Sequence, residues 1–310
     1  MKPAKRAAAL ALVALVFAAG LVAGRVSATP VPAGEPTWTV AATLSQPRAY
    51  GRAVALATGE VLVLGGLDPG DPRVTIVTTE LFDPATGRVS ILGQPLLGRL
   101  NQAVTVGWGD RVVVTGGTEW LGTDWGPVAR VDVYLPWSRT WLRAAPMRQA
   151  RSDHGATALP DGRIFVTGGN HDNRILRASE IYDPATDRWT DAAPLPRGRT
   201  EFSTATLPDG RVLVAGGFEE DGRMSRSTLI YDPRTDSWTE GPAMLSERLN
   251  HVMTRLPSGD LLFFGGERNG AGTAERYEWR SRTFSYAGTL GAPRLVAQGV
   301  ALPDGRVLAV

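Results

Sequence analysis

From residue 37 onward the apolar positions come in short runs rather than helical stripes. In AVALATGEVLVLGG and STATLPDGRVLVAGG two such runs flank a turn. The turn residues Thr58-Gly59, Asp161-Gly162, Asp209-Gly210, Ser258-Gly259 and Asp304-Gly305 predict a tight antiparallel hairpin each time. A second hairpin follows, as in SEIYDPATDRWT, where Pro184 sits at a turn position that suits its fixed φ. Four antiparallel strands per unit are expected. No segment beyond the N-terminal leader carries a helical period.

The unit recurs in strict register. Arginines stand at Arg48, Arg99, Arg151, Arg199, Arg248 and Arg294, and 17 residues after each of the first five comes a Gly-Gly pair, beginning at Gly65, Gly116, Gly168, Gly216 and Gly265. An aromatic follows at Phe82, Tyr134, Tyr182, Tyr231 or Tyr277, with Val89, Trp141, Trp189, Trp238 or Phe284 seven residues later. Ten residues on stands the next arginine. Only the stretch between glycines and aromatic varies, from 16 residues (Gly66 to Phe82) to 11 (Gly266 to Tyr277). One loop per repeat is therefore free to diversify.

Gly-Gly after an apolar strand, then Tyr and Trp at fixed separation, resembles the kelch repeat, and a period of 46 to 52 residues suits it. The resemblance covers residues 36 to 310. It implies an all-β fold, a kelch-type β-propeller of four-stranded blades, with the Tyr and Trp side chains filling the space between blades. Trp38 aligns with Trp238 as a lone outermost strand, while Leu295 to Val310 supplies two strands of a further repeat. These features predict at least six blades, the last incomplete and closed by the N-terminal strand, in a chain truncated at its C-terminus.

Residues 1 to 28 read as a signal peptide: Lys2, Lys5 and Arg6, an apolar run from Ala7 to Gly24, and small residues at Val26-Ser27-Ala28. Secretion or periplasmic export is expected, an uncleaved membrane anchor being the alternative. Residues 29 to 36 form a proline-rich linker and 37 to 310 the propeller. Four of the 33 basic residues lie in the leader, leaving 29 against 31 acidic ones, a balance that argues against a nucleic-acid partner. The chain has no cysteine, so disulfides, thiolate metal sites and a lipoprotein anchor are excluded. The copper radical site of galactose oxidase, known on kelch propellers, needs a Cys–Tyr crosslink and is excluded with them. A monomer without cofactor is expected.

Strand order puts the arginines and the variable loops on one face and the DG and DP turns on the other. The arginines either bond loop carbonyls or line an anion-recognising mouth. Two residues after each stands Tyr50, Asn101, Asp153, Glu201, Asn250 or Val296, a position that shares a strand face with the arginine. Asp153 and Glu201 would then be neighbours, available for acid/base chemistry or paired with the arginines, with His154 as a third candidate. His154, His171 and His251 lack local ligand spacing, so no metal is expected. Trp120 and Trp125, in the loop TEWLGTDWGP, either grip a sugar or partner or pack on the next blade. Loop FEEDGRMSR, with Glu219, Glu220 and Asp221, has no calcium-loop pattern. The leading expectation is an exported module binding a glycan or protein. Its rival is a sugar epimerase, hydrolase or lyase, by analogy with six-bladed kelch proteins that epimerise sialic acid.

Overall fold

The computed structural model describes residues 20–25, 38–93, 98–122, 124–267, 272–289, 299–302 and 306–309. Five repeats each fold into a four-stranded antiparallel blade, and the described residues contain no α-helix, only a short 3-10 turn at Trp108–Asp110. In the third blade Gly155–Ala158, Ile164–Thr167, Ser179–Asp183 and Arg188–Ala192 pair in that order. Ile164 faces Tyr182, and Tyr182 faces Trp189. The other four blades repeat this register, with Phe82 and Val89, Tyr134 and Trp141, Tyr231 and Trp238, and Tyr277 and Phe284 as cross-strand pairs.

The second strand of each blade, such as Val112–Thr115 or Leu261–Phe264, is buried along its whole length. Such a strand is paired on both edges and covered on both faces, so it reads as a continuous apolar run. Alternate side chains serve different neighbours. Val113 packs with Ile164 and Tyr182 of the third blade, whereas Val112 and Val114 pack with Leu62 and Leu64 of the first. The large aromatics add polar ties between blades: Trp189 Nε1 donates to the Ala145 carbonyl at 2.8 Å and Trp238 Nε1 to Ala193 at 2.9 Å. Phe165 stacks on Tyr231 of the fourth blade at 4.3 Å.

Both chain ends meet in one further four-stranded sheet, ordered Trp38–Thr43, Gly20–Arg25, Arg306–Ala309, Gly299–Ala301. The expectation of at least six blades is not matched: five repeats form blades, and the remaining sheet is a composite of both chain ends. Its third position, predicted to be missing, is taken by Gly20–Arg25, a stretch that the sequence assigns to the leader. Val22 pairs with Ala309 and Ala23 with Leu308, which satisfies the backbone edge that Arg306–Ala309 would otherwise expose. The rest of the leader, the 29 to 36 linker and Arg294 lie outside the described residues. Among the described residues no helix is long and apolar enough to cross a membrane.

Candidate functional site

Among the described residues the recurring arginines do not line a mouth. Arg99, Arg151, Arg199 and Arg248 are at most 3% exposed, and each donates Nη1 to the carbonyl of the first glycine of its own blade, Arg151 to Gly168 at 2.8 Å. Arg48 does the same with Gly65 at 3.1 Å. The backbone completes the lock, since the second glycine of one blade donates to the carbonyl of the next blade's arginine: Gly117 to Arg151, Gly169 to Arg199, Gly217 to Arg248. The first glycine must lack a side chain, because a Cβ at Gly168, whose φ is +63°, would sit 2.7 Å from the Arg199 oxygen. The constant 17-residue spacing therefore reflects an internal brace between and within blades.

Each braced guanidinium meets a buried carboxylate. Arg48 pairs with Glu80, Arg99 with Asp132, Arg151 with Glu180 at 2.6 Å, Arg199 with Glu219 at 3.2 Å, and Arg248 with Glu275 at 2.8 Å and Glu267 at 3.2 Å. Burial lowers the Arg99 guanidinium to about 10, against the pull of Asp132, so it stays charged at neutral pH. The signal was present in the sequence and unread: an acid stands two residues before the aromatic at Glu80, Asp132, Glu180 and Glu275. The fourth blade has Leu229 there and takes Glu219 from its variable loop instead. That assigns Glu219 a structural role, and Glu220 is likewise bound to Arg177.

The residues two positions beyond the arginines behave differently. Tyr50, Asn101, Asp153, Glu201 and Asn250 all have φ between 47° and 58°, so the strand has not stayed regular and the side chain does not share the arginine's direction. They join in a backbone chain: Asp153 N–H donates to Asn101 O at 3.0 Å, Glu201 to Asp153 at 3.0 Å, and Asn250 to Glu201 at 2.8 Å. Inside lies a cavity of about 160 Å³, lined by Arg52, Gln102, Asp153, Glu201, Ser203 and Asn250 among others. The first strands of the sheets run along its wall, each beside the next. The cavity therefore lies on the propeller axis.

The cavity is polar and electrostatically uneven. Burial raises the Asp153 carboxyl, with the Arg52 charge and the Ser152 hydroxyl pulling it back. Glu201 is pushed from 4.5 up to about 7, first by burial and then by the neighbouring Asp153, against a 2.7 Å hydrogen bond from Asn250 Nδ2. Arg52 donates Nε to the Gln102 carbonyl at 2.7 Å, and burial lowers its guanidinium while Asp153 supports it. The two carboxyls are thus brought together as the spacing predicted. Neither forms the expected pair with Arg151 or Arg199, because those arginines are consumed elsewhere.

His154 also lines the cavity, but its ring is engaged elsewhere. It is 6% exposed, its Nε2 lies 2.8 Å from Thr115 Oγ1 between blades, and burial with the surrounding arginines holds it neutral, well below its usual range. His251 is similarly buried, against Phe263. Trp120 and Trp125 face each other across a two-stranded hairpin, Thr118–Trp120 with Trp125–Pro127, edge to face at 5.7 Å. Trp120 and the tip residue Leu121 remain exposed. The hairpin stands beside Asn170–His171 of the third blade.

Blades of four antiparallel strands set around an axial cavity define the class as a β-propeller. The Kelch motif family matches residues 150–196 and 199–245, so the third and fourth repeats of this β-propeller are of the kelch type. Among solved structures, one described as "Structure of YjhT" superposes with a TM-score of 0.69 at 15% identity, over 84% of this chain and 89% of that one. At that identity the likeness speaks for the fold. No match is found among curated protein sequences.

Proposed function

We propose that this propeller is an exported binding module that seats a small polar group, the terminal residue of a glycan or a side chain of a protein ligand, in its axial cavity. One observation carries the reading: Arg52, Asp153 and Glu201 turn charged groups into a cavity while every described repeat arginine is spent on the fold. Kelch propellers typically serve as interaction modules. The cavity suits one sugar ring rather than a larger ligand, since pockets for drug-sized molecules run from roughly 300 Å³ upward. Trp120, exposed on the variable-loop face, would add an aromatic rim. The ligand-binding role first assigned to the six arginines passes to Arg52, Asp153, Glu201 and Asn250. The composite sheet acts as a sixth blade, a reading supported by Val300 and Leu302, which pack on Val61 and Val63 of the first.

Calorimetry of the folded chain against a panel of neutral, amino and acidic monosaccharides tests this. Binding that weakens at least tenfold in Arg52→Ala, with the fold intact, supports it. A panel without a binder, or a binder indifferent to Arg52→Ala and Glu201→Gln, removes the axial site. Export is tested separately by N-terminal sequencing of the secreted chain: a start after residue 28 would remove Gly20–Arg25 and with it the composite sheet as described, whereas an uncleaved anchor would keep it.

A second reading, acid/base catalysis, is favoured by one specific feature. Glu201, raised to about 7 beside Asp153, is poised to exchange a proton near neutral pH. Glu201→Gln would then keep ligand binding while turnover fell by about a hundredfold or more. Equal loss of both would leave binding alone.

A further inference from the structure

The opposite face of the second blade departs from its neighbours at both of its turns. In the third and fourth blades the first turn carries an arginine neutralised by an aspartate two residues earlier, Arg163 with Asp161 at 2.7 Å and Arg211 with Asp209 at 2.6 Å. In the second blade the corresponding arginine is Arg111, and the aspartate position is Gly109. Trp108 stands where the others have Pro160 and Pro208. At the second turn, Asp183 and Asp187 of the third blade are replaced by Leu135 and Arg139, and Ala185 by Trp137. Asp187 accepts the Tyr182 hydroxyl at 2.7 Å; Arg139 can accept nothing.

These changes build one surface. The Arg111 guanidinium lies 4.5 Å from the Trp108 ring centroid and 4.9 Å from that of Trp137, both within cation–π range. Its Nη1 also donates to the Trp108 carbonyl at 3.1 Å. Trp108 is fixed from behind, since a Cβ on Gly162 of the third blade would fall 2.8 Å from its Cβ. Yet both indoles are 60% exposed, and Arg139 is exposed beside Trp137 in the same turn. Folding alone gains little from two large rings left in water, and three aspartates of the corresponding turns in the third blade have been replaced, against one acid gained at Asp110.

We infer that the Trp108–Arg111–Trp137 surface, with Arg139, is a docking site for a polyuronate, a polysaccharide bearing a carboxylate on its sugar rings. The charge complementarity is direct: among the described residues Arg111 has no carboxylate partner, and a guanidinium fork takes a carboxylate in bidentate fashion. The indoles add flat apolar faces suited to the C–H faces of pyranose rings. A polyuronate offers both features on one rigid repeat. An acidic peptide offers the charge without the rigid faces. This site is independent of the axial cavity and lies at the other end of the blades.

The test is binding of polygalacturonate to the full chain by calorimetry at physiological salt, with dextran and poly-glutamate as comparison polymers. Polygalacturonate should bind, dextran should not, and poly-glutamate should bind at least tenfold more weakly. Arg111→Ala and Trp137→Ala should each weaken binding at least tenfold, Trp137→Tyr should retain most of it, and Arg163→Ala should change nothing. Both positions are in surface turns, and an unchanged thermal midpoint checks that the variants fold. Absence of polygalacturonate binding, equal binding of poly-glutamate, or full binding by Arg111→Ala and Trp137→Ala overturns the inference.

Discussion

Arg151 and Asp153 are two residues apart and have opposite fates. Arg151 is fully buried, with a carboxylate and two carbonyls as partners, whereas Asp153 faces the axial cavity and makes one side-chain hydrogen bond, with Ser152. The same contrast recurs between Arg199 and Glu201. Regular periodicity in a repeat protein thus marks what the fold consumes. Chemistry remains at the positions where the residue changes from blade to blade, here Tyr50, Asn101, Asp153, Glu201 and Asn250.

The sharpest test of this contrast removes one partner from a brace. Glu180→Ala should destabilise the domain by about 3 to 5 kcal/mol, because it strands the Arg151 charge in the interior. Urea midpoints measure it, and a loss below about 1 kcal/mol, the scale of a surface ion pair, would break the comparison.

Next in size is the pH dependence of the cavity side. The folded-state pKa of Glu201 is raised from 4.5 to about 7, so the folded chain holds its proton more tightly than the unfolded one. Its contribution is fully present below pH 4.5 and is lost as pH rises through about 7. Across that window the loss is on the order of 3 kcal/mol at most. Glu201→Gln should flatten the fall, as read from denaturant midpoints at a series of pH values. An unchanged slope would mean that the carboxyl is solvated in the folded chain.

The glycine lock should show a smaller effect. Gly168→Ala combines a φ of +63° with a contact of 2.7 Å to the Arg199 oxygen, and should cost about 1 to 3 kcal/mol. At Asn101 the sign reverses: Asn101→Gly relieves a φ of 56° and should change stability by less than about 1 kcal/mol, in the stabilising direction. A cost at Asn101 equal to that at Gly168 would mean that the two positions are not distinguished by strain. Thermal midpoints of the two variants, measured side by side, decide.

The fold was legible because its causes are local. Apolar runs ending at Gly-Gly, turns at Asp161-Gly162 and Asp209-Gly210, and aromatics seven residues from their partners each specify a hairpin within a few residues. The closeness of Asp153 and Glu201 was legible too, since equal spacing from successive arginines puts them on adjacent blades. The arginine partners were harder to see. They lie 27 to 33 residues away for Arg48, Arg99, Arg151 and Arg248, across loops of variable length, and in the fourth blade the acid comes from a different loop altogether.

By itself, then, the sequence determined the strands, their order within each blade and the existence of a repeated ring, because hydrophobic periodicity and turn chemistry act over short stretches. Tertiary structure decided which way the side chains turn after each arginine, because the left-handed backbone at Asp153 and Glu201 breaks the alternation that a regular strand would impose. It also decided that Gly20–Arg25 pairs with Arg306–Ala309, a contact between distant parts of the chain that only ring closure brings together.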